Sequence, residues 1–111
     1  MNDKASTRQV KVSNPQGLHA RPAHALVNLA SRFQSEIDVI RDHERADGKS
    51  ILSILTLAAE QGTELIIEAR GDDAKDALDA LEHLFLEGFG DASSSNGQET
   101  SPADGTQRPS R

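Results

Sequence analysis

The chain predicts an α/β two-layer, open-faced sandwich: a four-stranded, mainly antiparallel sheet with three helices on one face, in the order βαββαβα. Three observations predict it. Apolar residues alternate with polar ones at Val10/Val12, Ile37/Val39 and Leu65/Ile67/Ala69, the period-2 pattern of half-buried strands. Three other segments repeat apolar residues at helical spacing, which gives each a single buried stripe. Between these segments stand clusters of Pro, Gly, Asn and Asp, the residues that turn a chain. Helices with one apolar stripe and strands with one apolar face satisfy each other in two packed layers.

The elements follow in order. Residues 1–7 are polar and read as a flexible N-terminus, with the first strand around Val10 and Val12. Asn14-Pro15-Gln16-Gly17 is a turn. From Ala20, the set Ala23, Leu26, Val27, Ala30 and Phe33 marks the first helix, and Pro22 is tolerated because first-turn N–H groups have no intrahelical acceptor to lose. Ile37, Val39 and Ile40 mark the second strand, Arg41-Asp42-His43-Glu44 a reversal, and Arg45-Ala46 a short polar third strand. Asp47-Gly48-Lys49-Ser50 opens a second helix with Ile51, Leu52, Ile54, Leu55 and Ala58 as its apolar residues, and Ser50 fits its N-cap. Gln61-Gly62-Thr63 breaks that pattern before the fourth strand. Gly71-Asp72-Asp73 starts the last helix, whose stripe of Ala74, Ala77, Leu78, Leu81, Leu84 and Phe85 is the clearest in the chain. The folded domain is expected over residues 8–90. Residues 91–111 hold no leucine, isoleucine, valine or aromatic and are expected to form a disordered polar tail.

Composition narrows the function. A chain of 111 residues holds one domain, more suited to a carrier or binding module than to a complete enzyme. It has no cysteine, so disulfides and thiolate metal sites are excluded, which is compatible with a cytoplasmic location. No apolar run approaches the roughly 20 residues of a membrane span. A net charge of −6, with neither Trp nor Tyr, argues against nucleic acid as a partner.

The segment that carries chemistry is Gly17-Leu18-His19-Ala20-Arg21-Pro22-Ala23, at the passage from first strand to first helix. A helix start offers unpaired N–H groups and the positive end of the dipole to an anion, and Arg21 adds a charge-assisted donor. Imidazole is a neutral nucleophile near pH 7, so the combination suits reversible capture of a phosphoryl group on His19. A cation in a first helical turn opposes the dipole, which makes better sense with an anion nearby. Read blandly, His19 would be a polar residue closing a helix end and Arg21 a solvated charge.

With these elements in place, the chain resembles the HPr family, the histidine-containing phosphocarriers of the bacterial phosphoenolpyruvate-dependent sugar phosphotransferase system. The likeness rests on Gly17–Ala23, on Gly48-Lys49-Ser50-Ile51-Leu52, which is similar to the family's regulatory-serine segment, and on the Gly71-Asp72-Asp73 helix start. It covers about residues 8–89. The resemblance implies that His19 accepts phosphate on Nδ1 from enzyme I and passes it to an EIIA-type domain, with Arg21 stabilising the phosphoryl group. It implies further that Ser50 is the target of an HPr kinase/phosphorylase, and that Ala20, Ile51, Leu52 and Leu55 contribute to docking. The implied protein is a monomeric relay without cofactor or metal. Asp42-His43 stands where the family commonly has an Asn-Gly type turn, and the tail lies beyond the family domain.

Other readings compete. N-capping alone explains a serine at position 50. His24 lies five residues from His19, about 500° around a helix, so the two do not share a metal-binding face. His43 is expected in a turn and His83 on the polar side of the last helix, with Lys49 a solvated charge. A regulatory adaptor acting through phospho-Ser50, or a small-molecule-binding domain with a similar sandwich, would use the same fold. No hydrolytic Ser/His/Asp set or carboxylate pair can be assembled from the sequence.

Overall fold

The computed structural model describes residues 5–90. The order is β1 (Ser6–Lys11), α1 (Ala20–Ala30), β2 (Glu36–Arg41), β3 (Glu44–Asp47), α2 (Ile51–Thr56), β4 (Glu64–Arg70) and α3 (Ala74–Leu86), closed by a 3-10 turn over Gly88–Gly90. The strands lie in the order β1-β4-β2-β3 and every pairing is antiparallel, which is the predicted open-faced sandwich. The expected tail, 91–111, and residues 1–4 of the expected flexible N-terminus lie outside the described residues. Residues 6 and 7 were also expected to be flexible, and here the structure differs. Ser6 pairs with Ala69 and Thr7 with Glu68, because β4 is long enough to template two polar residues that alternation alone does not mark as strand.

Alternation and burial agree closely. Val10 faces the helices, as do Ile37, Val39, Leu65, Ile67 and Ala69, each at most 7% exposed. They meet Ala23, Leu26 and Ala30 of α1, Ile54 of α2, and Ala77, Leu78, Leu81 and Phe85 of α3. Each large side chain fully withdrawn from water contributes about 1.5–3 kcal/mol. The opposite sheet face is charged: Arg45 meets Asp38 at 2.8 Å, while Arg70 meets Glu68 at 2.7 Å and Glu36 at 2.8 Å. Arg8 instead points to the helix layer and ties edge strand β1 to α3 through Glu82 (2.6 Å) and Asp79 (2.8 Å).

Two helix ends fall earlier than expected. Phe33 lies beyond α1 and packs only partly against the core. Ala58 is not on the buried stripe of α2; it lies past the Leu57 C-cap, exposed, with a left-handed backbone at φ +51°. The carbonyls freed at that end are taken by Arg41, whose Nη1 donates to Leu57 O at 2.6 Å. Lys49 is likewise not a merely solvated charge: its Nζ donates to the Phe33 carbonyl at 2.7 Å, just after α1. Side chains distant in sequence thus satisfy carbonyls at or just past helix ends, where local periodicity gives no hint of them. Among the described residues, no helix is long and apolar enough to cross a membrane.

Candidate functional site

The loop from Val12 to Leu18 hands the chain from β1 to α1, and nearly every part of it is tied down. Val12 N–H donates to Thr63 O at 2.9 Å and Val12 O accepts from Gly62 N–H at 2.8 Å. Gly17 N–H donates to Asn14 O at 3.0 Å, closing a turn, and Leu18 N–H donates to Ala59 O at 2.9 Å. Gly17 has φ +74°, and a Cβ there would lie 2.4 Å from the Ala59 carbonyl oxygen, so both conformation and space require glycine. Leu18, 4% exposed, plugs into the core immediately before the histidine.

His19 is the N-cap of α1, with extended backbone (φ −81°, ψ −168°), and its carbonyl accepts the first helical bond from Ala23 N–H at 3.0 Å. Its side chain makes no capping bond, so the half-buried imidazole is not committed to its own helix. The N–H groups of Ala20 and Arg21 belong to the first turn, where a helix supplies no acceptor. Pro22, in the same turn, is buried and has no N–H to leave unpaired. Ala20 and Arg21 are exposed, and α1 has no acidic residue in its first turn. This helix end therefore offers an imidazole with no capping bond, two first-turn backbone donors and the positive dipole end, with exposed Arg21 two residues on, features that suit a tetrahedral dianion.

The second predicted segment is built from its cap upward. Ser50, with extended backbone (φ −121°, ψ 115°), accepts from Ser53 N–H at 3.2 Å, the N-cap the sequence predicts. Of the apolar residues that follow, Ile54 is fully buried, Ile51 and Leu55 are partly buried, and Leu52 is 73% exposed. Helices α1 and α2 pack against each other.

The remaining histidines stand apart. His24 is exposed on α1 and hydrogen-bonds Asn28 at 3.2 Å; His43 is exposed in the β2–β3 turn; His83 is exposed and contacts Glu87 at 2.9 Å. Among the described residues, no group of three or more His, Cys, Asp or Glu is placed to hold a metal ion. Sequence reasoning missed Asn14, buried at 4% exposure in the loop that leads to His19. Its only signal was an amide residue in a turn, where exposure is the ordinary expectation.

Comparison with known proteins follows this geometry. The family model PTS-HPr, described as the PTS HPr component phosphorylation site, matches residues 6–87. Phosphocarrier protein HPr of Treponema pallidum is 44% identical over 82 residues, spanning 74% of this chain and 93% of the relative. Phosphocarrier protein NPr of Proteus mirabilis is 44% identical over 84 residues, spanning 74% of this chain and 92% of the relative. The crystal structure of HPr-C-His from Thermoanaerobacter tengcongensis is similar with a TM-score of 0.74 at 39% identity, over 77% of this chain and 96% of that one.

Proposed function

From the premise that the chain belongs to the HPr family of the phosphotransferase system, we propose that His19 is its phosphoacceptor, receiving a phosphoryl group from enzyme I and handing it to an EIIA-type domain. The chain is a phosphocarrier, a relay and not a catalyst with turnover of its own. The observation that carries the assignment to His19 is an N-cap imidazole that makes no capping bond, beside two first-turn N–H groups.

In the forward step the Nδ1 lone pair of neutral His19 attacks phosphorus. The bond from phosphorus to the donor's leaving atom breaks, and its electron pair stays with the donor. The product is a phosphoramidate, which transfers readily. A carrier must hold the group without trapping it, so a few donors at a helix end serve better than an enclosing cage. Arg21 neutralises part of the charge while the group moves between proteins. No metal or general base from this chain enters the scheme, because the proteins on either side supply the catalysis.

Docking falls to the apolar surface beside the histidine, namely Ala20, Ile51, Leu52 and Leu55. The exposure of Leu52 supports this. Ser50 is the proposed regulatory site, a target for an HPr kinase/phosphorylase. Phosphate on an N-cap is tolerated by the helix and sets negative charge beside the docking residues.

The test is phosphorylation with enzyme I and phosphoenolpyruvate, read by phosphorus NMR on wild type and His19→Ala. An acid-labile, base-stable phosphate on wild type alone is expected. Phosphate on both proteins moves the acceptor elsewhere, and phosphate on neither, with a cognate enzyme I, removes the relay assignment.

A further inference from the structure

We propose that Asn14 is a positioning residue for the phosphoacceptor, fixing the loop that ends in His19 against the C-terminal turn of the domain; this rests on the reading of His19 given above. Among the described residues, two polar side chains are buried, Ser35 at 1% and Asn14 at 4% exposure. Ser35 is fully engaged with Asp73. Asn14 is engaged on one side only. Its Nδ2 donates to the Gly88 carbonyl at 3.2 Å, while its Oδ1 is buried with no hydrogen-bond partner among the described residues.

A half-satisfied buried amide is a costly way to fill space. Val12 and Leu18 show what the same loop uses where filling space is all that is needed: both are apolar and nearly inaccessible. The amide does something they cannot. Among the described residues, every other hydrogen bond from this loop to a neighbouring element leads to one short stretch between α2 and β4. Val12 bonds Thr63 and Gly62, Ser13 O accepts from Gln61 Nε2 at 3.2 Å, and Leu18 bonds Ala59. The Asn14–Gly88 bond is a second hydrogen-bonded attachment, on a different element, between β1 and the histidine. The same residue closes the turn through its backbone, since Asn14 O accepts from Gly17 N–H. The direction in which His19 leaves this turn sets how its ring faces the Ala20 and Arg21 donors. A misplacement of about 1 Å at a reacting group can cost about 100-fold in rate.

The experiment uses the full chain, wild type and Asn14→Ala. Expected in the variant are a phosphoryl-acceptance rate from enzyme I lowered about 10- to 100-fold, an unchanged KM for the docking step, and a shifted titration midpoint of the His19 ring signals in NMR. A merely structural role would lower the melting temperature and move neither the rate nor the titration, and that result overturns the proposal. A second measurement needs no variant: in wild type, phosphorylation of His19 is expected to shift the Asn14 side-chain amide signals. Unmoved signals overturn the proposal even if Asn14→Ala does not fold. If wild type takes no phosphate on His19, the functional reading fails separately, and the titration of His19 in Asn14→Ala still reports whether Asn14 sets the ring.

Discussion

Asp73 and Ser35 are joined twice: Oδ1 of Asp73 accepts from the Ser35 backbone N–H at 2.9 Å and from the Ser35 hydroxyl. The other carboxylate oxygen takes the Gln34 N–H at 2.9 Å. The start of α3 is thereby clasped to the start of β2. Gly71 makes room for it, since a Cβ there would lie 2.6 Å from the Ser35 hydroxyl.

These bonds, the Ser35 hydroxyl first and the Gln34 N–H next, hold the Asp73 carboxyl below the ordinary aspartate value of 3.8. A carboxyl depressed in the folded state stabilises the fold above its unfolded value, and that contribution is lost as pH falls through the folded value. Asp73→Asn is expected to lower Tm at neutral pH and to flatten the acid limb of the Tm-against-pH curve below about pH 4. Melting followed by circular dichroism from neutral to strongly acid buffer checks this, and a parallel downward shift with an unchanged limb would count against it.

Arg21, the proposed charged donor to the phosphoryl group, brings its own helix start an unfavourable charge. On the proposed reading, Arg21→Ala lowers phosphoryl acceptance by about 10- to 100-fold, the worth of one charge-assisted hydrogen bond. Stability is expected to stay the same or rise by about 0.3–1 kcal/mol. Single-turnover phosphorylation beside a urea melt separates the two effects.

Ser50 caps α2, so Ser50→Ala is expected to cost about 0.5–2 kcal/mol. Ser50→Asp keeps a capping oxygen and adds charge beside Leu52. It should therefore melt close to wild type yet accept phosphate from enzyme I more slowly. Transfer as fast as wild type in Ser50→Asp would remove the regulatory proposal.

Leu52 and Ile54 are neighbours on α2 with opposite duties. Ile54 is fully buried, and Ile54→Ala is expected to cost about 2–5 kcal/mol. Leu52 is 73% exposed, and Leu52→Ala should change stability by no more than about 0.5 kcal/mol. The same variant should raise the KM for enzyme I. Equal KM values for wild type and Leu52→Ala would take Leu52 out of the docking surface.

The layers, the element order and the cap at Ser50 were legible because each is a local pattern: alternation, helical spacing, a hydroxyl before an apolar run. Leu65, Ile67 and Ala69 announce their face without help from any other part of the chain. What escaped is held by long-range bonds from side chains to backbone. Lys49 reads as a solvated charge and Arg41 as part of a reversal until Phe33 and Leu57 present their carbonyls. Asn14 is an ordinary turn residue until Gly88 meets it from 74 positions away. Ser6 and Thr7 became strand only because β4 extends to pair with them. The helix start that follows His19 was readable from seven consecutive residues, whereas the anchoring of the loop before it was not.

The pairing of β1 with β4 also sets a timetable. Ser6 finds its partner in Ala69, and Val10 in Leu65, so the edge strand that leads into His19 has no template until most of the domain has been made. Contacts this distant in sequence form late and slowly. A nascent chain that has left the ribosome through Arg21 holds the histidine motif with no paired strand behind it. A fragment that stops short of β4 lacks the template of β1, so it has the motif without the frame.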